Sequence, residues 1–152
     1  AMLAPDDWQA QWIGDGRPQF ERDEDFYDDD PMPLFRKSFT ARGPVTSARL
    51  YICGLGYYEA YLNGRKISDH VLDPGWTSYG KEVLYAVHDV TDLVGAGQQV
   101  LGVMLGNGWY NPLPLRLFGR FNLREVQETG RPRVRAELHL IYRNGAREKI
   151  LT

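Results

Sequence analysis

The sequence predicts an all-β protein, an antiparallel β-sandwich of jelly-roll type. Three observations carry that prediction. Apolar and polar residues alternate with period two through most of the chain. Sixteen glycines and nine prolines punctuate these runs, with Asn-Gly pairs at the sharpest breaks. No stretch keeps a 3.6-residue period for three turns, so no long amphipathic helix competes with the strands.

The elements follow in order. "SARLYICGL" puts Ala48, Leu50 and Ile52 on one side and Arg49, Tyr51 and Cys53 on the other, the pattern of a half-buried strand. "YYEAYLNG" directs Tyr58, Ala60 and Leu62 one way and Tyr57, Glu59 and Tyr61 the other. Asn63-Gly64 then supplies the positive-φ residues of a tight hairpin, and "RKIS" is the returning strand. Residues 82–90, "EVLYAVHDV", and 98–106, "QQVLGVMLG", read as two further strands joined by "TDLVGAG", which holds one short helical turn. The last pair, "VRAELHLIYRNGAREKILT", alternates Val134, Ala136, Leu138 and Leu140, turns at Asn144-Gly145 and returns through Ile150. Two segments do not read as strands. Residues 8–30 form a lead-in and an acidic loop with seven acids within 21–30, and residues 112–133 form a long insertion between core strands. Loops of that length in a compact domain are functional or mobile.

Composition narrows the function classes. The 152 residues suit a single domain with a sizeable core. A net charge of -2, with no basic stripe, argues against nucleic acid as a partner. No apolar run approaches the roughly 18 residues needed to span a bilayer, so no membrane partner is expected. The N-terminus has neither a charged n-region nor an apolar h-region, and the leading Ala-Met reads as a remnant ahead of a native start or a cut point. Cys53 is the single cysteine, which excludes an internal disulfide and a cysteine-based metal site. That suits the cytoplasm and does not exclude export.

Few residues form a catalytic or metal pattern. The acidic run offers hard oxygen ligands for calcium but lacks the Asp-x-Asp-x-Asp-Gly spacing, so a solvated loop is the simpler reading. His70, His88 and His139 show no ligand spacing, and His139 falls on the polar side of its strand as a surface histidine would. No serine sits in a Gly-x-Ser-x-Gly elbow, and no glycine-rich phosphate loop opens a helix. Glu59 and Asp73 are the carboxylates to weigh as a glycosidase pair, yet Glu59 lies mid-strand and nothing places the two across a pocket. Aromatic and amide residues on loops are more informative. "LDPGWTSYGK" presents Trp76 and Tyr79, and "GNGWYNP" presents Asn107, Trp109, Tyr110 and Asn111 at a strand end. A sugar needs a flat aromatic for its C–H face and amides for its hydroxyls, and these loops supply both. Closure of the core or packing against another domain is the competing reading for the two tryptophans.

These residues carry a resemblance. "PLFRKSF", "GLGYYEAYLNG", "PGWTSY", "YAVHDVT" and "GNGWYN" together resemble the N-terminal β-sandwich domain of bacterial α-L-rhamnosidases, over residues 8–109 and again from "RVRAELHLIYRNGAREKILT". The resemblance implies that residues 1–152 are one accessory domain excised from a longer enzyme, whose acid and base lie in a separate (α/α)6 barrel of the same parent chain, its expected partner. It further implies one of two roles, binding of L-rhamnose or rhamnosides, in some relatives through a calcium ion that touches sugar hydroxyls, or bracing of the barrel. The sugar-binding residues expected on this basis are Asn63, Trp76, Tyr79, Asn107, Trp109, Tyr110 and Asn111. Asn107, Asn111 and the carbonyl of Pro112 are the oxygens to offer a cation. Many relatives carry Asp where this chain has Asn107, which removes one charge and weakens the case for tight calcium; the resemblance thus implies no required cofactor, with calcium as the possible one. The glycine usual after Trp-Tyr is displaced by "NPLPLRLFGRF", which alters the rim. Leu113, Leu115, Leu117, Phe118 and Phe121 of that insertion favour the bracing role. The compartment stays open: cytoplasmic, or exported with the parent enzyme.

Overall fold

The computed structural model describes residues 2–152, except for the side chain of Leu117; Ala1 and that side chain, named above in the Ala-Met start and the apolar insertion, lie outside the described residues. Among the described residues ten strands form: β1 (Leu34–Ala41), β2 (Val45–Leu55), β3 (Tyr57–Leu62), β4 (Arg65–Lys66), β5 (Ala86–Asp89), β6 (Gly97–Gly106), β7 (Arg116–Leu117), β8 (Phe121–Asn122), β9 (Arg133–Tyr142) and β10 (Arg147–Leu151). They build two antiparallel four-stranded sheets, ordered β1-β6-β3-β4 and β10-β9-β2-β5, plus the small β7-β8 hairpin. The chain crosses repeatedly between the sheets, and the fold is a β-sandwich. No described helix is long and apolar enough to cross a membrane.

The alternation sets the register. Ala60 lies opposite Val103 and Leu62 opposite Leu101 in the first sheet, while Leu50 faces Leu138 and Ile52 faces Ala136 in the second. A one-residue slip would turn each of these side chains out of the core, which fixes the pairing. The inward faces meet in one cluster that includes Phe39, Leu50, Ile52, Leu62, Val103 and Leu138. Asn63 and Gly64 adopt φ of 52° and 80° in the β3-β4 hairpin, as their sequence demands. Thr91–Leu93 forms the short helical turn expected in "TDLVGAG".

The structure adds one strand to the sequence reading and corrects it in three places. β1 pairs along its whole length with β6 although its alternation is poor, because most of its early residues are exposed. The returning strand of the first hairpin spans only Arg65 and Lys66. Residues 82–85 are not strand: the Leu84 carbonyl accepts from Cys53 Sγ, and the Tyr85 hydroxyl exchanges hydrogen bonds with the Leu3 backbone. Finally, β2 and β9 are not half-buried. Tyr51, Cys53 and Glu137, on the face expected to meet solvent, are buried. The lead-in covers them, with Trp8 edge-on to Tyr85 at 5.4 Å, Arg135 over the Trp8 ring, and Ile13 bridged to Val134. Glu137 is held there by the amides of Gln9 and Ala10 and by His139, so His139 is half-buried and paired rather than free at the surface.

Candidate functional site

The expected aromatic residues converge at one end of the sandwich. β6 ends at Gly106, and residues 107–111 turn back, with the Asn111 amide donating to the Asn107 carbonyl at 3.0 Å. Only glycine fits at position 56 beside this turn: its φ is +96°, and a Cβ there would lie 2.2 Å from the Gly106 carbonyl oxygen. The turn delivers Trp109 outward and Tyr110 inward. Trp109 stacks on Trp76 from the 67–85 loop, ring centroids 5.4 Å apart at 28°. Tyr110 meets Tyr79 edge-to-face at 5.3 Å. Burial raises the pKa of both phenols, so both are neutral hydrogen-bonding groups. Trp76 and Trp109 stay 56% and 41% exposed. A core-closing role would bury them, so the stacked pair is a surface feature. Beside it lies an open groove of about 590 Å³ whose lining includes Trp76, Ser78, Tyr79, Lys81, Gln127 and Glu128.

The asparagines sit at the base of the turn. Asn111 is buried; its amide donates to Asn107 Oδ1 at 2.8 Å. Its own Oδ1 accepts from Gln19 Nε2 and from Arg124 Nη1, each at 3.0 Å. The same Arg124 nitrogen donates to the Pro112 carbonyl at 2.8 Å, and its guanidinium lies 3.9 Å over the Phe26 ring. Burial lowers the Arg124 pKa from its very high ordinary value, with Asp23 acting in opposition, and the guanidinium remains cationic. Two of the oxygens expected to face a calcium ion therefore face a fixed positive charge. Calcium takes six to eight oxygens, usually with carboxylates among them. With Arg124 in place, this carboxylate-free set does not fit calcium. Gln19 Oε1 is the one buried side-chain polar atom without a hydrogen-bond partner among the described residues.

Asn63 lies elsewhere. It follows Leu62, at the opposite end of β3 from Tyr57, and its side chain ties the hairpin to its neighbours, Nδ2 donating to the Leu93 carbonyl and to Gln99 Oε1 while Oδ1 accepts from the Val100 amide of β6. Glu59 and Asp73 do not share a pocket. Glu59 projects from β3 with Lys66 and Tyr61, whereas Asp73 meets the hydroxyl of Tyr58, the next residue and hence the opposite face. In the acidic run, Asp25 pairs with Arg22, and Asp30 is drawn in by Arg17 and Arg131. Sequence reasoning missed Gln19, Phe26, Arg124, Gln127 and Glu128. They come from the two segments without periodicity, where no pattern could point to them. It also missed the meeting of His70, Asp73 and His88, since His88 stands fifteen residues past Asp73 on a strand.

Comparison with known proteins agrees with this architecture. A family model described as the α-L-rhamnosidase N-terminal domain matches residues 43–152. An α-L-rhamnosidase of Formosa agariphila is 32% identical over 157 aligned residues, covering 99% of this chain and 16% of that protein. Among solved structures, native α-L-rhamnosidase from Aspergillus terreus superposes with a TM-score of 0.82 at 31% identity, covering 99% of this chain and 16% of that one. Streptomyces avermitilis α-L-rhamnosidase, solved in complex with L-rhamnose, gives 0.69 at 36% identity over 78% of this chain and 11% of its own. The chain thus spans a small part, about a sixth or less, of the length of the relatives it matches.

Proposed function

The chain belongs to the family of α-L-rhamnosidase N-terminal domains, and from that premise we propose that it is a non-catalytic accessory domain that binds L-rhamnose or a rhamnoside. The observation that carries this reading is the stacked, half-exposed Trp76–Trp109 pair beside an open groove. An exposed indole face suits the apolar C–H face of a sugar, and Gln127, Glu128, Ser78 and Lys81 provide hydroxyl partners around it. Hydrolysis belongs to a catalytic barrel elsewhere in a longer parent chain. Recognition proceeds without calcium, because Arg124 already holds Asn111 Oδ1 and the Pro112 carbonyl.

The test is a calorimetric or NMR titration of the chain with L-rhamnose, with calcium and then with chelator. Binding is expected at millimolar sugar, unchanged by chelator, and weakened about fivefold or more in Trp109→Ala, by analogy with the ~1–3 kcal/mol lost when an aromatic side chain under a stacked base is removed. Loss of binding on chelation would overturn the metal-free part, and silence at high sugar would overturn the sugar reading as a whole. One observation favours a second role. Leu113, Leu115, Phe118, Phe121 and Val126 of the insertion are all exposed, Phe118 at 93%. Such a surface suits packing against the barrel, and silence in the titration would leave that structural role in its place.

A further inference from the structure

We propose that His70, Asp73 and His88 form a binding site for a zinc-class divalent cation. Their ligand atoms already converge: His70 Nδ1 lies 2.8 Å from Asp73 Oδ2, His88 Nε2 lies 4.0 Å from the same oxygen, and all three fall within 4.8 Å of one another. A tetrahedral zinc ion with bonds of about 2.0–2.1 Å holds its ligands roughly 3.3 Å apart. The cluster therefore needs only a short adjustment. It can come from His70, which is exposed, while His88 is buried and Asp73 half-buried. Two imidazoles and one carboxylate select zinc and its neighbours over calcium or magnesium, which prefer all-oxygen sets. A fourth position toward solvent is left for water.

The surroundings suit a ligand set. The Tyr58 hydroxyl lies 3.0 Å from His88 Nε2 and 3.4 Å from Asp73 Oδ2. Burial and the nearby Asp73 charge keep that phenol protonated. It can release His88 to a metal and donate to the carboxylate, the outer-shell contact that orients a ligating Asp. A neutral imidazole is the form that binds metal, so binding should strengthen as the histidines lose their protons. The placement gives the ion a mechanical role. His88 belongs to β5 of one sheet, Tyr58 to β3 of the other, and Asp73 to the loop that carries Trp76, with the Tyr58 amide donating to the Asp73 carbonyl at 3.0 Å. A bound ion would clamp that loop to β5 at the edge of one sheet, beside Tyr58 of the other. The site stands or falls independently of whether the neighbouring groove binds sugar.

The experiment is a zinc titration of tag-free, chelator-stripped chain against a chromophoric zinc indicator, with thermal melts alongside. One zinc per chain and a raised melting temperature are expected. Cobalt substituted for zinc should give the intense visible absorption of a four-coordinate site, which scattered surface carboxylates do not produce. His70→Ala, an exposed change that leaves the core intact, should weaken zinc by more than about 100-fold, since losing an outer-shell partner alone costs 10–100-fold. Tyr58→Phe should keep a bound zinc, because its hydroxyl is not a ligand. If saturable binding at one equivalent is missing, or if His70→Ala binds as tightly as the parent chain, the proposal is overturned.

Discussion

Replacing Arg131 by Met should destabilise the domain by about 2–4 kcal/mol. The Arg131 side chain is 7% exposed and its Nη2 bridges Asp15 Oδ2 at 2.8 Å and Asp30 Oδ1 at 2.9 Å, with Nε adding two longer bonds to Asp15. The two carboxylates are 15% and 11% exposed. Removing one partner of a buried ion pair costs about 3–5 kcal/mol, because the other charge is left desolvated and unpaired. Arg17 still reaches both carboxylates at 2.7 and 2.8 Å, but it is 46% exposed, and a pair of that kind restores at most about 1 kcal/mol. The midpoint of thermal unfolding should fall by roughly 4–16 °C, taking about 2–4 °C per kcal/mol for a domain of this size. Urea unfolding followed by tryptophan fluorescence measures the free energy directly. The pH dependence supplies a second check. The Arg131 hydrogen bonds hold the Asp15 pKa well below its ordinary 3.8 despite partial burial. A depressed carboxyl pKa gives stability that is present above the unfolded value and lost as pH falls through the folded one. The gap between parent and variant should therefore narrow below about pH 4, and Asp15→Asn with Asp30→Asn should rescue the variant at neutral pH. A difference under about 0.5 kcal/mol, the size of an ordinary surface change, would refute the reasoning.

Two further predictions rest on the covered outer face of the second sheet. Burial pushes the Cys53 thiol up to about 12, so it should react with a thiol reagent orders of magnitude more slowly in the folded chain than in denaturant at about pH 8; equal rates would mean the lead-in does not seal it. Glu137→Gln should cost about 1.5–3 kcal/mol, the worth of hydrogen bonds to a charged group, in urea unfolding at neutral pH. Burial alone would raise the Glu137 pKa, but the bonds from His139, Ala10 and Gln9 and the charge of Lys149 outweigh it and leave the pKa below the ordinary 4.5. By the same sign as Asp15, that contribution should vanish as pH falls through the folded value.

The inward half of the sandwich was legible because period-two alternation is written by burial itself. Leu50, Ile52, Val134 and Leu138 are apolar at every second position since they meet the same core, and Asn63-Gly64 marks a turn that few other pairs permit. The outward half was misread for a physical reason. Tyr51, Cys53, Glu137 and His139 look polar or mixed, and alternation sends such a face to solvent. A lead-in with no periodicity of its own covers them, and its binding is recorded in single contacts such as Ala10 to Glu137 and Trp8 to Arg135. β1 escaped for the converse reason: a strand with many exposed residues writes a weak pattern even when fully paired.

The same distinction separates the two halves of the candidate site. Trp76, Tyr79, Trp109 and Tyr110 announce themselves, because large aromatics after glycine turns stand out in any loop. What gives them a chemical setting does not. Gln127 fixes the Trp109 carbonyl, Arg124 satisfies Asn111 and Pro112, and Gln19 braces Asn111 from the lead-in. Arg131 ties Asp15 and Asp30 to the end of the insertion, and so anchors the segments that deliver those groups. The insertion is thus the wall of the groove as well as an interruption of the sandwich. Arg124 supplies, from within the chain, the positive charge that the neighbouring oxygens would otherwise draw from a cation. On the proposed reading, a domain that carries its own cation in that way gains a site whose geometry does not depend on free calcium, at the expense of the adjustable coordination an ion would provide. Arg124→Ala tests this: with the guanidinium gone, Asn111 Oδ1 loses one of its two donors and the Pro112 carbonyl loses its side-chain donor, and because the set still has no carboxylate a calorimetric titration with calcium should stay silent. Calcium binding gained in the variant would show instead that the guanidinium charge alone had kept the ion out.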